Sequence, residues 1–249
     1  MPPGEKGPPR ILVSLATYNE RDNLAPMVRE VLEQLPAAHV LVVDDNSPDG
    51  TGRLADELTA ADPRVRVVHR AGKLGLGTAI LTAMRHAMDH DYDYLINMDA
   101  DFSHHPRYLP ALVAGMDRHD VMIGSRYVPG GGTVAWPWSR RMMSWGVNLL
   151  VRLLLRLPAH DCSGSYRCYR VAKLREAHLE RMLSRGYSFQ QEALYRCRRA
   201  RSRLGETPII FEDRRAGASK VSPREAVRSL SVLLQLGLRA FFGFDRWKN

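Results

Sequence analysis

The chain has 249 residues, 45% hydrophobic and 25% charged, the profile of a globular protein with one sizeable core and an appendage. Its net charge of +9, mostly arginine, fits a nucleic acid, an anionic membrane or a phosphorylated substrate equally well. No apolar run reaches the roughly 20 residues needed to cross a bilayer, so no transmembrane helix is predicted. The nearest run, Met142 to Leu157, is broken by Asn148, Arg152 and Arg156. Three cysteines (Cys162, Cys168 and Cys197) form no metal-site spacing, and no signal peptide is evident. A reducing, cytoplasmic compartment is therefore expected.

Residues 1–9, rich in Pro and Gly, read as a disordered tail. Arg10 to Thr17 reads as a first strand, and Tyr18 to Leu24 leads into a helix that stops near Pro36. Val40 to Val43 is a second strand, followed by the turn Asp44-Asp45-Asn46-Ser47-Pro48-Asp49-Gly50-Thr51 and a helix over about 52–61. Val65 to Val68 is a third strand. Gly72-Lys73-Leu74-Gly75-Leu76-Gly77-Thr78 opens a helix that runs to about His90. This is not a phosphate loop, because there the Lys follows the last Gly and stands directly at the helix start. A tight turn and a backbone approach to a ligand both remain open for it.

Tyr94 to Met98 is a buried strand ending in Asp99-Ala100-Asp101; Phe102-Ser103-His104-His105-Pro106 cannot continue it. A helix over about 106–117 and a strand at Val121 to Gly124 follow. Strands alternating with helices predict an α/β fold, with a mostly parallel sheet and helices on both faces. In such a sheet the loops after the strands line one crevice. Here they offer Tyr18, Glu20, Asp45, Asp99 and Asp101. Taken singly each acid reads as a turn former or helix cap; their repetition at equivalent strand ends points to a shared site. Two carboxylates one residue apart are hard oxygen donors suited to Mg²⁺ or Mn²⁺ held jointly with a ligand's phosphates.

Beyond a glycine-rich connector, the helix over about 139–157 carries polar residues every fourth position: Arg140, Ser144, Asn148, Arg152 and Arg156. With Trp145, Leu149, Leu153, Leu154 and Leu157 around them, the helix reads either as packed on the sheet or as lying on a membrane surface. Asp161 to Arg167 is a turn into a short strand, and Gly186 to Glu192 opens a helix whose arginine run towards Arg203 reads as a solvated face. Thr207 to Phe211 is a strand, residues 212–220 form a basic loop, and residues 223–249 hold a C-terminal amphipathic helix.

Taken together, Thr17-Tyr18-Asn19-Glu20, Val43 to Thr51, Gly72 to Ala79, Asp99-Ala100-Asp101 with His104-His105-Pro106, and Gly124-Ser125-Arg126-Tyr127 resemble family 2 glycosyltransferases of the GT-A fold. The Ser-Pro-Asp-Gly-Thr turn, Trp136-Pro137 with Arg140 and Ser144, Gly186-Tyr187-Ser188-Phe189-Gln190, and Arg214 with Gly217, Ser219 and Lys220 narrow the likeness to dolichol- or polyprenol-phosphate mannose synthases. It covers about residues 10–222, which form the implied catalytic domain. Ala16 departs from the usual Pro before Thr-Tyr-Asn-Glu.

The resemblance implies inverting transfer of mannose from GDP-mannose to dolichyl or polyprenyl phosphate. By that likeness Thr17, Tyr18, Glu20, Val43 and Asp45 hold the guanosine, and Asp99 and Asp101 hold a Mg or Mn ion and the diphosphate, with Ala100, Ser103 and Lys220 in the donor site. Arg126, Arg140, Ser144 and Arg214 hold the lipid phosphate, with Asp101, Arg126 and Arg214 central to catalysis. The likeness also implies a peripheral protein on the cytoplasmic membrane face, with attachment through a membrane-anchoring partner protein left open. The same fold using UDP-glucose is the nearest alternative, and a non-catalytic scaffold is another. A nucleic-acid-binding role is disfavoured, since no recognition helix, zinc finger or aromatic RNA-binding pattern is present.

Overall fold

A computed structural model describes residues 7–184, 186, 188–213 and 223–242. The first six residues of the expected tail, Tyr187, and Arg214 to Lys220 lie outside the described residues. One seven-stranded sheet forms the middle layer. Its strands are β1 (Ile11–Thr17), β2 (His39–Asp44), β3 (Val65–His69), β4 (Tyr94–Asp99), β5 (Val121–Ser125), β7 (Arg167–Arg170) and β8 (Leu204–Pro208). Their order is β3-β2-β1-β4-β7-β5-β8. Only β7 runs antiparallel to its neighbours, so the sheet is mixed but mostly parallel, as expected. A two-stranded ribbon pairs β6 (Gly132–Thr133) with β9 (Ile210–Phe211).

The central strands are apolar on both sides because both sides are covered. Leu12, Leu41, Val43 and Leu95 face a core built with α3 (Leu76–Asp89), α5 (Trp138–Leu155), α6 (Val171–Glu176), α7 (Phe189–Arg199) and α8 (Pro223–Phe242). Val13, Leu15, Val42 and Ile96 face the opposite core, closed by α1 (Arg21–Gln34), α2 (Thr51–Ala61) and α4 (Leu109–Gly115). Period-two alternation along each strand divides the two cores.

Three expectations are corrected. The helix expected over 106–117 is a short 3₁₀ turn, Pro106–Tyr108, followed by a two-turn α4. The arginine run on α7 is not wholly solvated. Residues 189–197 are all buried and Arg196 pairs with the buried Glu192, whereas Arg198, Arg199, Arg201 and Arg203 are exposed as expected. The helix expected over 139–157 is α5, which ends at Leu155 and buries Asn148, Val151 and Leu155 while Met142, Met143, Trp145, Leu150 and Leu153 are exposed. Arg156 is not part of it, but caps it in the left-handed conformation at φ 52°.

The far edge of the sheet is fastened by Asp120. Its carboxylate accepts from Arg170 Nε at 3.1 Å and from the Arg203 amide at 2.9 Å, joining β7 and β8 to the residue before β5. Burial pushes this carboxyl up, but the Arg203 amide and the two arginines outweigh burial and hold it below the ordinary value. Asp120→Asn should lower the unfolding free energy by about 1–3 kcal/mol at neutral pH. The depressed folded value means the contribution is present above the unfolded pKa of about 3.9 and fades as pH falls through the lower folded value. Urea melts of both proteins at descending pH should therefore converge.

Candidate active site

The strand order reverses direction between β1 and β4, the place where an open α/β sheet forms its ligand crevice. Thr17 ends β1, Asp45 follows β2, and Asp99 ends β4. In each of these loops one residue adopts a left-handed backbone beside the chemistry it carries: Asn19 at φ 61°, Asn46 at φ 56° and Phe102 at φ 63°. Asn tolerates this conformation, but Phe does so at a cost of about 1–2 kcal/mol. The chain thus turns sharply away straight after Tyr18, Asp45 and Asp101.

The Ser-Pro-Asp-Gly-Thr turn splints the first loop. The amides of Asn19, Glu20 and Arg21 donate to Ser47 Oγ, Thr51 Oγ1 and Asp49 Oδ2 at 3.0, 3.0 and 3.2 Å. These are amides at the start of α1, which the helix itself cannot satisfy. Thr17 is buried, and its hydroxyl donates to Asp44 at 3.0 Å. Val43 sits with its side chain in the core, so only its backbone faces the loop region. Glu20 accepts from Asn23 Nδ2 at 2.8 Å.

Asp45 pairs with Arg70, Oδ1 to Nη1 at 3.0 Å, and both side chains are 8% exposed. Burial raises the Asp45 carboxyl above its ordinary value, against the pull of Arg70 and the Leu74 amide. Lys73 lies over the Tyr18 ring at 4.2 Å, a cation–π contact. Arg70, directly after β3, and Lys73, in the glycine-rich stretch, thus lie against Asp45 and Tyr18. Arg70 carried no motif in the sequence; a cation directly after a strand end was the only signal.

Asp99 accepts from Ser165 Oγ at 2.9 Å. Asp101 is buried and accepts from the Ser103 amide and hydroxyl at 3.1 and 2.6 Å. Ala100 packs its methyl into the core. His104 is buried, stacks on Tyr166, and accepts from the Asp99 amide through Nδ1 at 3.2 Å. Burial lowers its pKa, more than the nearby carboxylates raise it, so the ring is a neutral prop for the Asp99 backbone. Among the described residues no three His, Cys, Asp or Glu side chains gather to hold a metal alone. Two carboxylates completed by a ligand's phosphates and water are nevertheless the donor set Mg²⁺ or Mn²⁺ takes. The residues present fit such an ion.

Arg126 is almost fully buried. Its Nε and Nη2 donate to Asp161 at 2.7 and 2.8 Å, and Nη2 also reaches Ser163 Oγ at 2.9 Å. Burial lowers the Arg126 pKa and raises that of Asp161, but their mutual attraction reverses both shifts. Trp136, Tyr127 and Phe211 surround the guanidinium at 5.4–5.6 Å. Arg140 stacks on Trp136 at 4.0 Å and pairs with Asp213 at 2.8 Å. Ser144 accepts from the Tyr127 hydroxyl at 2.6 Å. The structure thus gathers Arg126, Arg140 and Ser144 around Trp136 and Tyr127. Arg214 and Lys220 lie outside the described residues.

The Glycosyl transferase family 2 profile matches residues 13–177. Two curated relatives match over most of their length. Undecaprenyl-phosphate mannosyltransferase of Micrococcus luteus is 44% identical over 240 residues, 96% of this chain and 97% of the relative. Polyprenol monophosphomannose synthase of Mycolicibacterium smegmatis is 43% identical over 232 residues, 92% of this chain and 88% of the relative. Among solved structures, glucosyl-3-phosphoglycerate synthase of Mycobacterium tuberculosis with Mn²⁺, UDP and phosphoglyceric acid superposes with a TM-score of 0.61. It is 16% identical, covering 93% of this chain and 78% of that one. TarS of S. aureus with UDP-GlcNAc gives 0.60 at 17% identity, covering 95% and 74%. These likenesses show a shared GT-A-like fold.

Asp161→Asn should remove the buried partner of Arg126 and cost about 3–5 kcal/mol of stability. Replacing both residues with leucine should recover much of that loss, and a denaturant-unfolding double-mutant cycle measures the difference.

Proposed function

The chain belongs to glycosyl transferase family 2, and we propose that it transfers mannose from GDP-mannose to a polyprenyl or dolichyl phosphate with inversion at the anomeric carbon. The observation that carries this reading is the 43–44% identity, across nearly the whole chain, to two relatives named for mannosyl transfer to such lipids. The strand-end carboxylates and the arginine cluster support it.

In this reading Tyr18, Asp45 and Arg70 receive the guanosine, with Thr17, Glu20 and the Val43 backbone shaping its pocket. Asp99 and Asp101, flanked by Ala100 and Ser103, hold a divalent ion and the diphosphate. The ion, when bound, offsets the charge of the departing diphosphate. Arg140 and Ser144, with Arg126, Arg214 and Lys220, receive the acceptor phosphate and close the donor site; Arg suits phosphate oxygens through its paired donors. An acceptor phosphate oxygen forms the new bond to the anomeric carbon, and the bond to the diphosphate breaks with its electron pair leaving on GDP. A phosphate monoester is already ionised near neutral pH, so no strong general base is required. Attack opposite the leaving group gives a β-mannosyl phosphate.

The outward apolar face of α5 supports a peripheral site on the cytoplasmic membrane face. Leu230, Leu234, Leu238 and Phe241 of α8 are exposed as well, and the two helices meet where Gly237 packs closely on Leu154. No described helix is long and apolar enough to cross a membrane. Exposed apolar side chains beside an arginine cluster suit a helix pair lying in an anionic lipid interface.

Labelled-sugar transfer to a polyprenyl phosphate, run with GDP-mannose and UDP-glucose in parallel, tests the donor. Label should pass from GDP-mannose, stop on chelation and be abolished in Asp101→Ala; label from UDP-glucose alone would replace the donor assignment. In flotation with anionic liposomes, Met143→Glu combined with Leu153→Glu should weaken binding at least tenfold, whereas equal flotation would remove α5 from the interface.

A further inference from the structure

Gln190 stands in the first turn of α7 and is 6% exposed, yet among the described residues neither its amide nitrogen nor its amide oxygen has a hydrogen-bond partner. A buried amide left open at both ends is costly and is rare without a cause. Its backbone is well fixed. Arg167, fully buried on β7, donates from Nη1 to the Gln190 carbonyl at 2.6 Å and from Nη2 to the Cys162 carbonyl at 2.8 Å. Cys162 lies between Asp161, which holds Arg126, and Ser163, which contacts the same guanidinium. Ser165, two residues before Arg167, donates to Asp99. One guanidinium thus bolts the start of α7 to the loop that holds both the arginine and the first carboxylate of the site.

A row of polar residues crosses the sheet at the same level. Ser14, Asn97 and Arg167 are in register on β1, β4 and β7, on the side that α7 covers. Ser14 donates to Asn97 Oδ1 at 2.7 Å, and among the described residues Asn97 Nδ2 and Arg167 Nε have no hydrogen-bond partner. Asn97 lies two residues before Asp99, so this row is the layer directly below the strand-end carboxylates.

We propose that Gln190 is a sugar-binding residue, its open amide pairing with hydroxyls of the hexose being transferred. The inference rests on the functional reading above and deepens it. A phosphate only accepts hydrogen bonds and would leave the amide oxygen open. A hydroxyl both donates and accepts, so neighbouring hydroxyls can satisfy both ends. A neutral amide also adds no negative charge to a site that brings two anions together.

The test replaces Gln190 with methionine, of similar length and without the amide, and uses GDP-mannose, its mono-deoxy analogues and GDP. In Gln190→Met, kcat/KM for GDP-mannose should fall at least tenfold, GDP binding should stay within twofold, and Tm should hold or rise. For one mono-deoxy donor, the loss seen with the wild type should vanish in the variant. Unchanged kcat/KM, a parallel loss of GDP affinity, or a fall in Tm with equal losses for every deoxy donor would each overturn the proposal, the last by assigning the amide to a buried water or to the scaffold. If the methionine variant folds poorly, Gln190→Glu enters the same cycle. A wild type that transfers no mannose would overturn the functional reading and this inference with it; an active wild type beside an indifferent variant overturns this inference alone.

Discussion

The site depends on one buried carboxylate. Asp161 is out of contact with water and is surrounded by donors: the Arg126 amide and side chain, and the Gly164 amide. A charge so placed is tolerable only if fully paired. Satisfying it fixes Arg126 after β5 and shapes the loop 161–165, and that loop then reaches three further elements. Ser163 accepts from Asn148 on α5, Cys162 offers its carbonyl to Arg167 under α7, and Ser165 holds Asp99 at the end of β4. Glu206 on β8 completes the hold by accepting from the His160 and Asp161 amides. Arg126, Asp99 and α5 thus share one rigid mount. That suits chemistry whose main demand is the relative placement of two charged reactants.

The orientation of α5 follows from the same mount. A helix with polar residues at every fourth position exposes that stripe to water unless something inside pairs with it. Here Asn148 bridges Ser163 and the Cys162 amide, and Ser144 meets Tyr127. The interior takes Ser144 and Asn148, and Met142, Met143, Trp145, Leu150 and Leu153 are left outside. Such an arrangement is unfavourable in water, because Trp145, Leu150 and Leu153 gain nothing from exposure. It becomes favourable against an apolar phase. The same rotation that turns Ser144 and Asn148 towards Tyr127 and the loop 161–165 turns the apolar face outward.

Much of this was legible in the sequence. The sheet was readable because each strand is a short apolar run closed by turn residues, and Asn19 and Asn46 announce left-handed turns at two strand ends. Phe102 does not announce the third, since nothing local favours a phenylalanine there; tertiary packing imposes it. The carboxylates at 45, 99 and 101 were readable from their repetition after strands. Arg70 and Asp161 were not, because each draws its meaning from a partner far away in the chain: Asp161 lies 35 residues from Arg126. The Ser-Pro-Asp-Gly-Thr turn was readable as a motif, but not as a splint for the amides of a different loop. The arginines of α7 show the same limit from the other side. Composition suggests a solvated stripe, but Glu192, four residues before Arg196, draws that arginine into the core.

Gln190 shows why polar groups left open in a fold carry information that satisfied ones do not. Asp120, Asp161 and Glu192 are buried and polar, and each is fully accounted for by the protein's own donors. Their burial explains stability and asks for nothing else. The amide of Gln190 is different, since folding alone gives it no partner, and an apolar residue of the same size would pack there at lower cost. Selection for stability alone would not keep it. Its backbone is bolted by Arg167 to the loop that also holds Arg126 and Asp99. A residue there needs to be polar without being charged, because a carboxylate would oppose both incoming anions and a cation would compete with the arginines for them. An amide meets that constraint, and the reacting component it complements is the neutral one, the sugar.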